Sequence, residues 1–329
     1  MERVDFRTEI KRLHRGIRVA WVINFAILWI LVIAIGVVFG LGTHVTNAQL
    51  AQYMGGFAAI GFVVALIVMF VVNSSAERIL LAAPAGDSVE VTQGQLKNIV
   101  EEMAIAAALP HTPKCYVLRG SGVCNAYASA DSFGNSMVVV TQELLDLLNT
   151  REELEGVVAH EIGHIKTGDS QAMTRLVALT STTAIIGSMA GRMLWFGGGN
   201  RGRNNNNQGT NPIALVIVVL SYIFLIVAPL LAKVAESYMS RERESRADAS
   251  AVEFTRNPTG IAQALIALET GADHYGSQKT AKDFANTVGP VAFYNPEFAG
   301  INLSTHPSTP KRIEALIAMG AQVQPLEEK

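Results

Sequence analysis

Apolar positions along this chain fall into long unbroken runs and short periodic stretches, and the two kinds alternate. Val19 to Leu41 is an apolar run of 23 residues in which Asn24 is the single strongly polar member. Met54 to Val72, Leu176 to Phe196 and Ile213 to Ala232 are three more such runs. A helix needs about 20 apolar residues to cross a bilayer, so the pattern predicts four transmembrane helices. The first run is too long for a signal-peptide core, and no small-x-small site closes it, so it reads as a retained span. Only Gly42 to Tyr53, without Lys or Arg, separates the first two runs, which predicts a hairpin over residues 19–75. A second hairpin is predicted over residues 172–233, with a Gly/Asn-rich loop at 197–212.

Between and after the hairpins the pattern becomes periodic. Gln95 to Ala108 predicts an amphipathic helix with Leu96, Ile99, Val100, Met103 and Ile105 on its apolar side. Lys114 to Leu118, Cys124 to Ala128 and Ser136 to Thr141 read as short strands separated by Gly-containing turns. Thr141 to Asn149 and then Thr150 to Asp169 read as helices. Thr150 with Glu153 is a capping-box start, and Gly168 is suited to end the second helix. Lys233 to Glu253, Ile261 to Thr270 and Lys311 to Met319 complete the helical segments. The chain thus divides into a basic N-terminus (1–18), a first hairpin (19–75), a soluble part (76–171), a second hairpin (172–233) and a second soluble part (234–329).

Composition agrees with the runs: half of the residues are hydrophobic and only 16% are charged. The net charge of −2 gives no basic field, so nucleic acid is not an expected partner. Two cysteines, Cys115 and Cys124, are too few for a disulfide framework and read as reduced core thiols. Charge placement sets an orientation. Six basic residues precede the first run, and they place the N-terminus and both soluble parts on the cytoplasmic side. Arg201 and Arg203 in the loop between runs three and four oppose this weakly.

The chemistry sits in His160-Glu161-Ile162-Gly163-His164. Residues four apart share a helix face, so both imidazoles can reach one metal ion. Glu161 beside the first ligand can take a proton from a water on that ion. A catalytic zinc needs a third protein ligand. The H-E-x-x-H-x-x-G-x-x-H route fails, because Thr167 and Ser170 stand where Gly and His are required. Glu244-Ser-Arg-Ala-Asp248 supplies two acids on one helix face: Glu244 to bind, Asp248 to orient a ligand histidine. Glu236, Glu242 and Asp169 compete by charge alone. His164 lies 12 residues before the third run and Glu244 12 residues after the fourth. If both helices run on unbroken, each ligand sits about 18 Å from the membrane boundary, at a common depth.

Four pieces together resemble the HtpX family of membrane-bound zinc metalloproteases, relatives of the CAAX prenyl endopeptidases. They are Asn125-Ala-Tyr-Ala128, the His160–His164 motif with Gly168-Asp169, Ser240 to Asp248, and Thr305-His-Pro307 followed by Lys311-Arg-Ile313. Ser245 departs from the family, where an aromatic is common, and so does the long 197–212 loop. The resemblance implies a mainly α membrane protein carrying an α+β zincin (gluzincin-like) catalytic domain. It implies one Zn2+ held by His160, His164 and Glu244, with Glu161 as base and Asp248 behind a histidine. Asn125, Ala126, Tyr127 and Ala128 would form an edge strand for the substrate backbone, and His306 and Arg312 are the candidate oxyanion donors. The implied partners are polypeptides, chiefly membrane proteins, and a lipid bilayer. The implied place is the bacterial cytoplasmic (inner) membrane, as a multi-pass protein in protein quality control and stress response. An inactive scaffold of the same fold or a CAAX-type endopeptidase is the alternative.

Overall fold

The two central strands of the described sheet are buried on both faces, and that follows from where the sheet lies. The computed structural model describes residues 46–75, 86–131, 134–174, 241–270 and 308–324, scattered positions at 22–33 and 78–81, and Phe293. By backbone contacts the chain divides into two units, Met1–Ser75 with Ala178–Val234, and Ala76–Val177 with Ala235–Lys329.

The first unit is described through helix α1, Asn47–Ser74. Residues Ala51–Val71 of it are long and apolar enough to cross a membrane, and they are the one such helix among the described residues. Ile60, Val63, Ile67 and Phe70 are each more than half exposed, as expected of side chains whose solvent is lipid. The helix begins seven residues earlier than the apolar run suggested, because Thr46 caps it. The Thr46 hydroxyl accepts from the Gln49 N–H, and the Gln49 side chain accepts from the Thr46 N–H. Described residues of the first run are helical. They meet α1 where the Trp29 indole donates to the Ala58 carbonyl at 2.8 Å and Phe25 packs edge-on to Phe62. The remainder of that run, the third and fourth runs, residues 1–18 and the 197–212 loop lie outside the described residues.

The second unit holds a four-stranded sheet in the order β1-β2-β4-β3. The strands are β1 (Asp87–Glu90), β2 (Lys114–Arg119), β3 (Ala126–Ala130) and β4 (Ser136–Thr141). β2 and β4 are parallel, while β1 and β3 pair antiparallel at the two edges. Cys115, Val117, Val138 and Val140 enter the main core beneath the helices. Their alternates Tyr116, Leu118, Met137 and Val139 form a second cluster with Leu80 and Tyr127. Burial on both faces makes β2 and β4 near-continuous apolar runs, which is why they were legible. β1, charged at both ends and four residues long, has no such signature and is defined by its pairing to β2. β3 starts two residues after the predicted strand. Asn125 stays outside it because its N–H goes to the Thr141 hydroxyl rather than to a carbonyl across the ladder.

The helices are α2 (Gln95–Ala106), α3 (Gln142–Leu147), α4 (Arg151–Thr167), α5 (Arg241–Thr255), α6 (Pro258–Thr270) and α7 (Thr309–Ala318). α2 buries Leu96, Ile99, Val100 and Met103, but Ile105 is 79% exposed. Two residues on from Met103 is about 200° around the helix, so Ile105 belongs to the opposite face. α4 lies at the centre. At Gly156 a Cβ would stand 2.5 Å from the Ile261 backbone N, so α4 and α6 touch backbone to backbone. At Gly163 a Cβ would meet Ser250 at 3.1 Å, so α5 is drawn nearly as close on another side.

Candidate metal centre

α4 starts and stops where its sequence dictates. Thr150 and Glu153 form a reciprocal capping box, and Gly168 ends the helix in the left-handed conformation at φ 79°. Leu154, Val157, Val158 and Ile162 anchor its apolar face in the core. That anchoring turns His160, Glu161 and His164 toward α5 and β3. On α5, Glu244 and Asp248 lie one turn apart and both are buried.

Three ligand-type side chains converge. The Nε2 atoms of His160 and His164 are 3.1 Å apart. Glu244 places one carboxylate oxygen 3.5 Å from His160 Nε2 and the other 3.6 Å from His164 Nε2. A tetrahedral ion bound at about 2.0–2.1 Å has ligand atoms about 3.3 Å apart, so these three separations are close to its edges. Two imidazoles and one carboxylate leave the fourth position open, the donor set of a catalytic rather than a structural metal. The residues fit a metal ion. Glu236 and His306 lie outside the described residues.

Each histidine has a carboxylate behind it. Asp248 Oδ1 is 2.9 Å from His160 Nδ1, so with Nδ1 protonated Nε2 is free to coordinate. Asp169 Oδ2 lies 3.8 Å from His164 Nδ1 and accepts from the Thr167 hydroxyl at 2.9 Å. Asp169 thus stands behind a ligand instead of among the ligands. Burial penalises the Asp248 charge, yet the Arg312 guanidinium and the His160 bond outweigh it and hold its pKa at about 2. Burial likewise pushes His160 down, but its bonds to Asp248 and Glu244 win and raise it to about 9. Glu161 moves upward through burial, with the two imidazoles pulling the other way. Both of its carboxylate oxygens are buried without a hydrogen-bond partner. A buried carboxylate in that state is costly unless a water or substrate completes it.

Arg312, an expected oxyanion donor, is buried against Asp248, to which its Nε and Nη2 donate at 2.9 and 2.7 Å. Its Nη1 donates to the Phe293 carbonyl at 3.2 Å. Three of its five N–H groups are committed in this way, and its planar fork is matched to one carboxylate. Phe293 was not legible in the sequence, where nothing sets it apart from any other aromatic residue. Its ring stands edge-on to His160, centroids 4.9 Å apart, and under the Arg312 guanidinium, also at 4.9 Å. Asn125, Ala126, Tyr127 and Ala128 sit beside α4, at and before the start of edge strand β3.

Comparison with known proteins agrees with the donor set. The model of peptidase family M48 matches residues 90–319. A protein named Protease HtpX homolog from Streptococcus uberis is 39% identical over 222 residues, 67% of this chain and 71% of that one. Its namesake from Streptococcus thermophilus is 34% identical over 297 residues, 88% of this chain and 96% of that one. Among solved structures, S. mikatae Ste24p aligns with a TM-score of 0.44 and 18% identity, over 93% of this chain and 65% of that chain. On the span of the family model and these identities over most of its length, this chain belongs to peptidase family M48 and is a metalloprotease of the HtpX type.

Proposed function

We propose that the protein is a zinc-dependent endopeptidase of gluzincin type, embedded in the cytoplasmic membrane by four spans. Its substrates are membrane or misfolded proteins presenting segments on the cytoplasmic side, which makes it a quality-control protease of the stress response. One observation carries the catalytic reading: His160, His164 and Glu244 bring one ligand atom each within 4.8 Å of one another beside Glu161. When bound there, zinc supplies Lewis-acid polarisation of a water and of the scissile carbonyl. Glu161 then has a defined task. Its unpaired carboxylate takes the proton of the attacking water and passes it to the leaving amine. Asp248 keeps the His160 ring in the tautomer that leaves Nε2 free, and Arg312 keeps Asp248 in place. β3 offers its outer edge to the substrate backbone, a strand-addition mode. His306 remains the proposed oxyanion donor. The membrane placement is supported by the apolar Ala51–Val71 helix and by six basic residues before the first run.

The test uses the full-length protein in detergent with casein as substrate. Glu161→Gln is expected to keep its zinc and lose at least about a hundredfold in rate, the usual scale of a lost general base. Glu244→Ala is expected to lose zinc. A Glu161→Gln protein that digests casein at the wild-type rate would sink the proteolytic assignment, and unchanged zinc in Glu244→Ala would remove that residue from the ligand set.

A further inference from the structure

The outer edge of β3 is mostly taken. β3 pairs with β4 so that Asn125, Tyr127 and Ser129 face β4: the Asn125 carbonyl accepts from the Thr141 N–H, and alternation fixes the rest. Ala126, Ala128 and Ala130 therefore turn their N–H and C=O groups away from the sheet. At Ala126 both groups are engaged. Its N–H donates to the Asn125 side-chain oxygen at 2.9 Å, and its carbonyl accepts from the Phe293 N–H at 2.7 Å. At Ala130 the N–H donates to the Thr174 hydroxyl at 3.3 Å. Among the described residues, Ala128 is the one position on this edge whose carbonyl is open and whose N–H is turned to the Glu161 carboxylate.

Phe293 is not loosely placed. Its backbone is held from both sides, by the Ala126 carbonyl and by Arg312 Nη1. Its ring is wedged between His160 and the Arg312 guanidinium. Removing it from the edge would break two backbone hydrogen bonds and both ring contacts at once.

We propose that Phe293 is a substrate-positioning residue: its N–H ends the receptive edge of β3 at Ala126, so that a substrate backbone pairs at Ala128 alone, opposite Glu161. This rests on the reading of β3 as the substrate strand. A single rung fixes which peptide bond lies beside Glu161 and gives little affinity to any extended sequence. Selection among substrates then falls to side chains and to the supply of an unfolded segment. Phe293 thereby sets the register of cleavage from outside the ligand set.

A backbone N-methyl scan of one cleaved peptide, identified from a casein digest by the full-length protein, tests this. Methylation removes one donor at a time. Apart from the scissile amide, wild type is expected to show one sensitive position, losing about three- to tenfold in kcat/KM, the scale of one hydrogen bond. Phe293→Pro removes the donor to Ala126 and frees its carbonyl. A second sensitive position, two residues from the first, is expected to appear. Phe293→Ala keeps the N–H and is expected to show one position only, with a lower kcat from the lost ring against His160. Zinc content at the wild-type level in both variants shows that they are folded; if Phe293→Pro falls short of this, the wild-type and Phe293→Ala scans decide alone. Two sensitive positions two residues apart in wild type, or no new position in a zinc-loaded Phe293→Pro, overturn the proposal. A scan with no sensitive position in any of the proteins instead overturns the strand reading beneath it.

Discussion

Arg312 shows how much one side chain's partners decide. In sequence it is a basic residue near a histidine, and a cationic donor for a developing oxyanion is a reasonable expectation. In the folded protein both ends of its fork are closed on Asp248, a residue 64 positions earlier. A buried ion pair contributes little beyond its own desolvation, but breaking one leaves an uncompensated charge. Arg312→Met is therefore expected to destabilise the catalytic unit by about 3–5 kcal/mol. Asp248→Asn with Arg312→Met should recover part of that loss. Thermal unfolding of the two variants checks this; a destabilisation no larger than that of a surface substitution would contradict the clamp. The same contact steadies His160 at second hand, so zinc retention should fall in parallel with stability.

Among the elements, α4 carries the site and tolerates the least. Its capping box, its apolar face and its terminal Gly168 were all visible in the sequence, because they are local features of 3.6-residue periodicity. The two glycines within it were not assigned a task. Gly156 lets the α6 backbone approach, and its counterpart Gly260 sits against the Glu152 carbonyl. A methyl group at either position has to push two helices apart, and overpacking of this kind costs about 1–3 kcal/mol. Gly156→Ala should lower the melting temperature by several degrees. Gly55→Ala, in α1 with nothing within 4 Å, should not. Equal melting temperatures for the two variants would show that α4 and α6 are not in backbone contact. β3 tells the complementary story. Its residue types were read as a strand, but its start depends on the Thr141 hydroxyl, and its receptive length depends on Phe293.

At the scale of the molecule the chain divides into a unit whose described helix is apolar and exposed and a unit with a core. Cys115 and Cys124 report on the second. Burial raises both thiols to about 11; Lys97 opposes this slightly at Cys115, while Glu143 and Asp146 add to it at Cys124. The thiolate is the reactive form, and a raised pKa keeps these groups protonated until the pH approaches that value. At pH 8 iodoacetamide should leave both unmodified in the folded protein and label both in denaturant. The labelling rate then follows opening of the whole core, since each thiol lies under the helices. Rapid labelling of the native protein at pH 8 would mean that the sheet is accessible without unfolding.

Features that are local or compositional could be read along the chain. The long apolar run of α1, the caps of α4 and the i, i+4 spacing of His160 and His164 follow from neighbours within one or two turns. The pairing of Glu244 with Asp248 was legible for the same reason. Contacts between distant segments came from the folded arrangement. That arrangement brought α5 against α4, closed Arg312 on Asp248, set Asp169 behind His164 and laid Phe293 on the edge of β3. These contacts are chosen by packing and by the need to pair buried polar groups, and neither leaves a periodic trace along the chain.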